Sequence, residues 1–365
     1  MTLHFYFARR FFMTFAAVFG VFLGLSMLIE LTDLIRRFAG DGVGFTQVLS
    51  LALLSAPLGF YRLMPIVMII AAVTLFLSMA RSSELVVARA SGRSGIRALL
   101  APALVALLIG VFAITVLNPL IAAMSKEYEL RTNQLDDAGG SILSVSDNGL
   151  WLRQGTTTGQ TVIRARSSNL DGTTLRAVTF VSFAQGGEPV RRIEAETATL
   201  TSGAWDLTEA KVWPLSRVPN PEQSARYHEA LRIPSTLTPE GIRDSFGDPS
   251  SIPIWGLPGF VDQLERAGFS ARRHLVWMHM ELAKPVFLVA MLLVGAVFTM
   301  RHSRGNRAST AVLYAMMLGF GLYFLRNFAQ ILGENGQMPV LLAAWAPPLG
   351  AIGLALGWLL HLEDG

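Results

Sequence analysis

The chain has 365 residues, 52% of them hydrophobic and 15% charged, and its mean hydropathy of +0.46 lies well outside the soluble range. Residues 125–273 carry 16 Lys and Arg against 18 Asp and Glu, so the formal charge of +4 comes from the remainder. The pI of 9.7 therefore reflects segments that border a membrane and is no argument for nucleic acid, and the lack of cysteine excludes disulfides, iron–sulfur clusters and thiolate metal sites.

Met1 to Arg10 is a short aromatic segment with two arginines, Arg9 and Arg10. Phe11 to Leu31 then holds one charge, Glu30, in 21 residues, enough for one crossing, which takes about 20. A secretory signal would have a shorter apolar core and a small-residue cleavage site, so an uncleaved anchor is expected. Asp33, Arg36, Arg37 and Asp41 follow at the outer surface.

From Gln47 to Ala80 the chain stays apolar for longer than one crossing needs, and Pro57, Gly59, Arg62 and Pro65 interrupt it. This predicts an oblique or broken approach at the outer face and a second crossing from about Met64 to Ala80. Arg62 can snorkel to the outer interface.

A charged interlude, Arg81 to Arg97, separates this run from the third crossing, Ala98 to Ile121. Ser82 can cap a helix start, Glu84 suits its first turn, and Gly92 can end it. The expected helix, near residues 82–92, is too short to be stable alone and needs something to dock on. Its two readings are a solvated topogenic loop and a coupling helix through which a cytoplasmic engine moves the membrane helices.

Residues 125–273 are different material. Turn signals at Asp147-Asn148-Gly149, Asp171-Gly172, Gln185-Gly186-Gly187 and Ser202-Gly203 separate β-prone runs at Leu150–Arg153, Thr161–Arg166, Leu175–Phe183, Arg191–Leu200 and Trp205–Trp213. That spacing predicts an all-β sandwich or roll. In the fourth run, Ile193, Ala195, Thr197 and Thr199 alternate with Glu194 and Glu196, which predicts one wet face. Eight prolines between Pro214 and Pro258 predict irregular or edge structure, and Pro258 to Gly268 a short helix.

Three more crossings follow: Val276–Met300, Ala308–Leu332 and Val340–Leu360. Glu281 and Lys284 are close enough to pair on one helix face. Arg301, Arg304 and Arg307 mark a second cytoplasmic loop. With Arg9, Arg10 and the four interlude arginines (Arg81, Arg89, Arg93, Arg97), they place both termini inside by the positive-inside rule.

Catalytic signatures are missing. The only lysines are Lys126, Lys211 and Lys284, none preceded by glycine, so there is no Walker A motif. His279-Met280-Glu281 is no zinc site, and Gly92-Arg93-Ser94-Gly95 misses the nucleophile elbow. These absences favour a permease or scaffold over an enzyme, with no cofactor and no metal.

The string Ser83-Glu84-Leu85-Val86-Val87-Ala88-Arg89-Ala90-Ser91-Gly92, the Gly149-Leu150-Trp151 start of the soluble part, and the re-entry stretch from Gly256-Leu257 through Leu264 and Gly268 to Lys284-Pro285 resemble the lipopolysaccharide export permeases of the LptF/LptG family, and within it the LptG branch. The resemblance covers the whole length. It implies a polytopic α-helical membrane protein of six transmembrane helices, 3+3, around an inserted all-β periplasmic domain that is β-jellyroll-like. The expected parts are 1–124 (TM1–TM3), 125–273 (the β-domain) and 274–365 (TM4–TM6), in the cell inner membrane. It also implies an ABC transporter in which an LptF-type permease is the other half of a heterodimer. An LptB-type ATPase dimer would hydrolyse ATP, and an LptC-type bridge would receive the lipopolysaccharide. On that resemblance Glu84, Leu85 and Arg89 are the ATPase-coupling residues, and Asp33, Arg36, Arg37 and Arg62 the lipid-binding ones. One departure is Glu30, where relatives often carry a lysine about one turn before the aspartate.

Two other classes fit the sequence less well. A permease of the lipoprotein-release or cell-division type would have four spans per chain, and a membrane-embedded lipid-modifying enzyme would need a catalytic set that is not found.

Overall fold

The computed structural model describes residues 2–39, 43–82, 84, 95–135, 143–146, 149–156, 159–169, 173–184, 186–215, 220–235, 237–238, 248–266, 270–300 and 307–364. They form two compact units, one of residues 1–131, 250–255 and 272–365, the other of residues 132–249 and 256–271.

The first unit is helical. It comprises α1 (Thr2–Arg37), α2 (Phe45–Arg81), α3 (Gly95–Phe112), a π-helical turn (Ala113–Leu117), the start of α4 (Asn118–Leu135), α6 (Arg272–Leu282), α7 (Lys284–Thr299), α8 (Arg307–Glu334) and α9 (Val340–Asp364). Among the described residues, five helices are long and apolar enough to cross a membrane, and α6 with α7 makes a sixth if that bent pair is one span. Its centre is α2 against α7. Between Lys284 and Thr299 all but three residues are buried, and Met64 to Ile69 of α2 are buried as well. Close approach requires small residues. A Cβ on Gly295 would lie 2.9 Å from the Ala72 methyl, and one on Gly110 of α3 would fall on Pro285. Phe7, Phe11 and Phe15 seat α1 in the same core, and the Phe19 ring meets Phe60 at 4.2 Å.

Two expectations about these helices are corrected. Of the oblique or broken approach, the break does not occur: α2 runs unbroken through Pro57 and Pro65, with Pro65 buried. A proline leaves one backbone carbonyl without its helical partner, and packed neighbouring helices make this tolerable. Conversely, the fourth apolar segment is not one straight helix. Pro285 can donate no N–H to the carbonyl of Glu281 and its ring crowds that turn. The helix breaks at Ala283, and α6 and α7 meet at 51°. Proline acts again after α3. Pro119 has no N–H for Thr115, and the ladder shifts so that the Asn118 N–H bonds the carbonyl of Ala113, a π-type pairing.

Among the described residues the second unit holds a seven-stranded antiparallel sheet with strands in sequence order: β1 (Leu143–Ser146), β2 (Gly149–Thr156), β3 (Gly159–Ser168), β4 (Thr174–Ala184), β5 (Pro189–Thr201), β6 (Ala204–Pro214) and β7 (Arg226–Pro234). The five predicted runs are β2 to β6. The proline-rich stretch supplies β7, which lies at the sheet edge, where a missing N–H is tolerated. The helix α5 (Leu257–Arg266) follows close to its expected place.

The predicted single alternation of β5 is corrected. Ile193 and Ala195 are buried, but so are Ala198 and Leu200, so Thr197 and Thr199 change face. The neighbours change phase with it, from Leu175 to Val178 in β4 and from Leu207 to Ala210 in β6. At that line Ala177 and Glu209 take left-handed φ values of 48° and 51°. The sheet is thus creased across three strands. Trp205, fully buried, packs edge-on to Phe180 in its core.

Candidate functional site

The functional residues expected from sequence fall at two ends of the helical unit, and a third group lies between elements of its core. At the first end α2 stops at Ser82, its C-cap, whose backbone N–H donates to the carbonyl of Ser78 at 3.0 Å. Two residues on, Glu84 is gripped from α1. Arg10 Nη1 donates to Glu84 Oε2 in an ion pair, Tyr6 Oη donates to the same oxygen at 3.1 Å, and Ser82 Oγ donates to Oε1 at 2.8 Å. Arg10 also reaches Ser78 Oγ at 3.3 Å, so one guanidinium joins α1, α2 and the interlude. Burial pushes the Glu84 carboxyl up, but the hydrogen bonds from Arg10, Ser82 and Tyr6 outweigh it and hold the pKa below the ordinary 4.5. The other proposed coupling residues, Leu85 and Arg89, and the helix expected near 82–92 lie outside the described residues.

At the opposite end of α1, Arg36 and Arg37 occupy its last turn, where cations suit the negative end of the helix dipole. Asp33, Arg36 and Arg37 are all exposed, and the Arg37 guanidinium lies 5.4 Å from the Phe38 ring centroid. Glu30, a turn earlier, is half-buried.

The third group is buried. Glu281 at the end of α6 and Lys284 at the start of α7 pair across the break, Lys284 Nζ lying 2.8 Å from Oε1 and 3.0 Å from Oε2, with only 1% and 5% of their side chains exposed. Tyr61 of α2 donates its hydroxyl to Glu281 Oε2, and Asn118 Nδ2 approaches that oxygen at 3.4 Å. Lys284 Nζ sits 3.1 Å from the Tyr61 ring centroid, a cation–π contact. Asn118 also turns outward, its Oδ1 accepting the N–H of Ile254 at 2.9 Å. Arg326 of α8 stacks toward Phe287 at 5.4 Å, and both it and exposed Arg62 lie within electrostatic reach of Lys284. One carboxylate therefore ties together α2, the π-bulged α3–α4 junction, both arms of the bent α6–α7 pair and, through Asn118, the segment at Ile254.

Sequence reasoning named Glu281, Lys284 and Arg62 but missed Tyr61 and Asn118. Their signal was present: a polar Asn118 directly before Pro119 in an apolar run, and a tyrosine beside the arginine. What could not be read was that the break at Pro285 turns Glu281 toward both.

The model of the family described as "Lipopolysaccharide export system permease LptF/LptG" matches residues 5–361. The chain belongs to that family. It is 23% identical over 342 residues to the lipopolysaccharide export system permease protein LptG of Haemophilus influenzae, a match covering 92% of each chain. It is 24% identical over 364 residues to the protein of the same name from Escherichia coli K12, covering 97% of this chain and 96% of that one. Family membership accounts for the apolar helices and the inserted sheet together, and assigns the chain to the transport rather than the enzymatic side of such systems.

Proposed function

We propose that the chain is the LptG-type permease subunit of an ABC transporter that extracts lipopolysaccharide from the inner membrane and passes it to a periplasmic bridge. In this reading it crosses the membrane six times, with both termini cytoplasmic. Residues 1–124 and 274–365 form its membrane parts, and 125–273 a periplasmic domain whose creased antiparallel sheet is of the jellyroll type. It pairs with an LptF-type permease, stands on an LptB-type ATPase dimer that does the hydrolysis, and hands lipid to an LptC-type protein. The observation that carries this reading is the family match over 5–361, nearly the whole chain.

Glu84, with Leu85 and Arg89 on the same interlude, takes the ATPase-coupling role: an acid at the end of α2, a third exposed, can offer its open edge to a basic groove. Asp33, Arg36, Arg37 and Arg62 take the lipid-binding role. Paired guanidinium forks suit phosphate because each presents fixed donors and stays charged at any relevant pH. Glu30 then leaves one phosphate contact of the relatives replaced by an acid. Purification in mild detergent tests the reading. An ATPase subunit and a second permease should accompany the chain, and lipopolysaccharide should stimulate hydrolysis. A chain that purifies alone and active on a lipid would contradict it.

A further inference from the structure

The bond between Arg10 and Glu84 reaches beyond docking. The interlude is covalently continuous with α2, and its Glu84 is tied to α1 by the side chains of Arg10 and Tyr6. The same α1 is a single 36-residue helix that carries Arg10 near one end and Asp33, Arg36 and Arg37 at the other. At 1.5 Å per residue Arg10 and Arg37 lie about 40 Å apart along the helix. Between them α1 rests on α2 through apolar rings, Phe7, Phe11, Phe15 and Phe19 against neighbours such as Phe60. Apolar packing opposes separation but is non-directional, so it does little to fix sliding or rotation. A guanidinium held at once by a carboxylate, a phenol and Ser78 does fix register.

We infer that Arg10 is the positioning residue through which movement of Glu84 is passed to α1, so that α1 acts as the rod between the ATPase dock and the outer arginines. Arg10 need not leave Glu84 for this to work. A carboxylate offers about four acceptor positions, and Arg10, Tyr6 and Ser82 occupy three. The exposed edge stays open to a partner while Arg10 remains bound.

The inference rests on the proposed role of Glu84, and the test separates the two. The full permease–ATPase complex is reconstituted in nanodiscs of phosphatidylethanolamine and lipopolysaccharide, with a photo-crosslinker at exposed Ile35 of α1. The readouts are ATPase retention, ATP hydrolysis, and the ATP-driven change in lipid crosslinking at position 35. Arg10→Ala should keep the ATPase bound and hydrolysing while shrinking the ATP-driven change at least about fivefold, the low end of a typical coupling between sites. Arg10→Lys should restore part of it, and Arg9→Ala, which removes the same charge from an exposed neighbour, should match wild type. Full ATP-driven change in Arg10→Ala overturns the inference and leaves the Glu84 role standing. Loss of the ATPase from Arg10→Ala makes Arg10 a docking residue and also overturns it. Normal ATPase retention and lipid release in Glu84→Ala removes the Glu84 role itself, and the inference with it.

Discussion

Glu281 and Lys284 pair not along one helix but across the break between two, where α6 and α7 meet at 51°. Both are almost fully buried, so each is the other's main compensation for leaving water. Tyr61 and Asn118 complete the carboxylate's hydrogen bonding from α2 and α4. The bend is thereby set from outside the helix as well as by Pro285.

Removing one charge should cost more than removing both. Glu281→Gln leaves Lys284 buried without its counter-charge, a loss of about 3–5 kcal/mol for such pairs. Heating the detergent-purified protein and following its size-exclusion peak should show a clear drop in midpoint for Glu281→Gln. The double variant Glu281→Leu with Lys284→Met should melt nearer to wild type. Equal melting of Glu281→Gln and wild type would mean that the pair does not hold the bend.

Tyr61→Phe isolates the hydroxyl, because the ring beneath Lys284 stays. A hydrogen bond to a charged group is typically worth about 1.5–3 kcal/mol, and the same melting assay should register a loss of that order. Tyr61→Leu, which also deletes the cation–π face, should lose more. If the two variants are equal, the ring contributes nothing.

The helical–β–helical order, the five inner strands and the apolar helices were legible because each carries its own periodicity or turn chemistry. The break at Ala283 was half legible. Lys284-Pro285 stood out as a string, but a proline ends a helix in one place and is absorbed in another, as Pro57 and Pro65 of α2 are. Which occurs depends on packing from elements distant in sequence. The change of phase in β5 was illegible for a related reason. Thr197 and Ala198 are equally at home facing in or out, and the left-handed residues beside them, Ala177 and Glu209, are of types that give no sign of it. The grip of Arg10 on Glu84 joins residues 74 apart, and no local pattern announces it.

The Glu84 carboxyl should titrate below the ordinary 4.5, since its hydrogen bonds from Arg10, Ser82 and Tyr6 outweigh burial. For a carboxyl lowered in the folded state, the stabilisation is complete above its unfolded pKa and is lost as pH falls through the folded one. Carbon-13 NMR of carboxyl-labelled glutamate, assigned by Glu84→Gln, should give a midpoint under 4.5 that moves upward in Arg10→Ala. A midpoint unchanged by that substitution would mean that the ion pair is absent in solution.

Topology can be read by labelling introduced cysteines with an impermeant reagent in spheroplasts. Ser202→Cys, in the exposed turn between β5 and β6, should label, and Ser303→Cys should not. The reverse pattern would invert the proposed arrangement.

The most direct test of the proposed function is whether lipopolysaccharide is held at the outer end of α1 by its arginines. A photo-crosslinker at Ile35 should capture lipopolysaccharide in membranes. Arg36→Glu with Arg37→Glu should cut that capture at least about tenfold, the effect of losing a single charged hydrogen bond. The control Arg176→Glu with Arg191→Glu, two exposed residues of the sheet, should leave it intact. Capture undiminished in the α1 double variant would contradict the account.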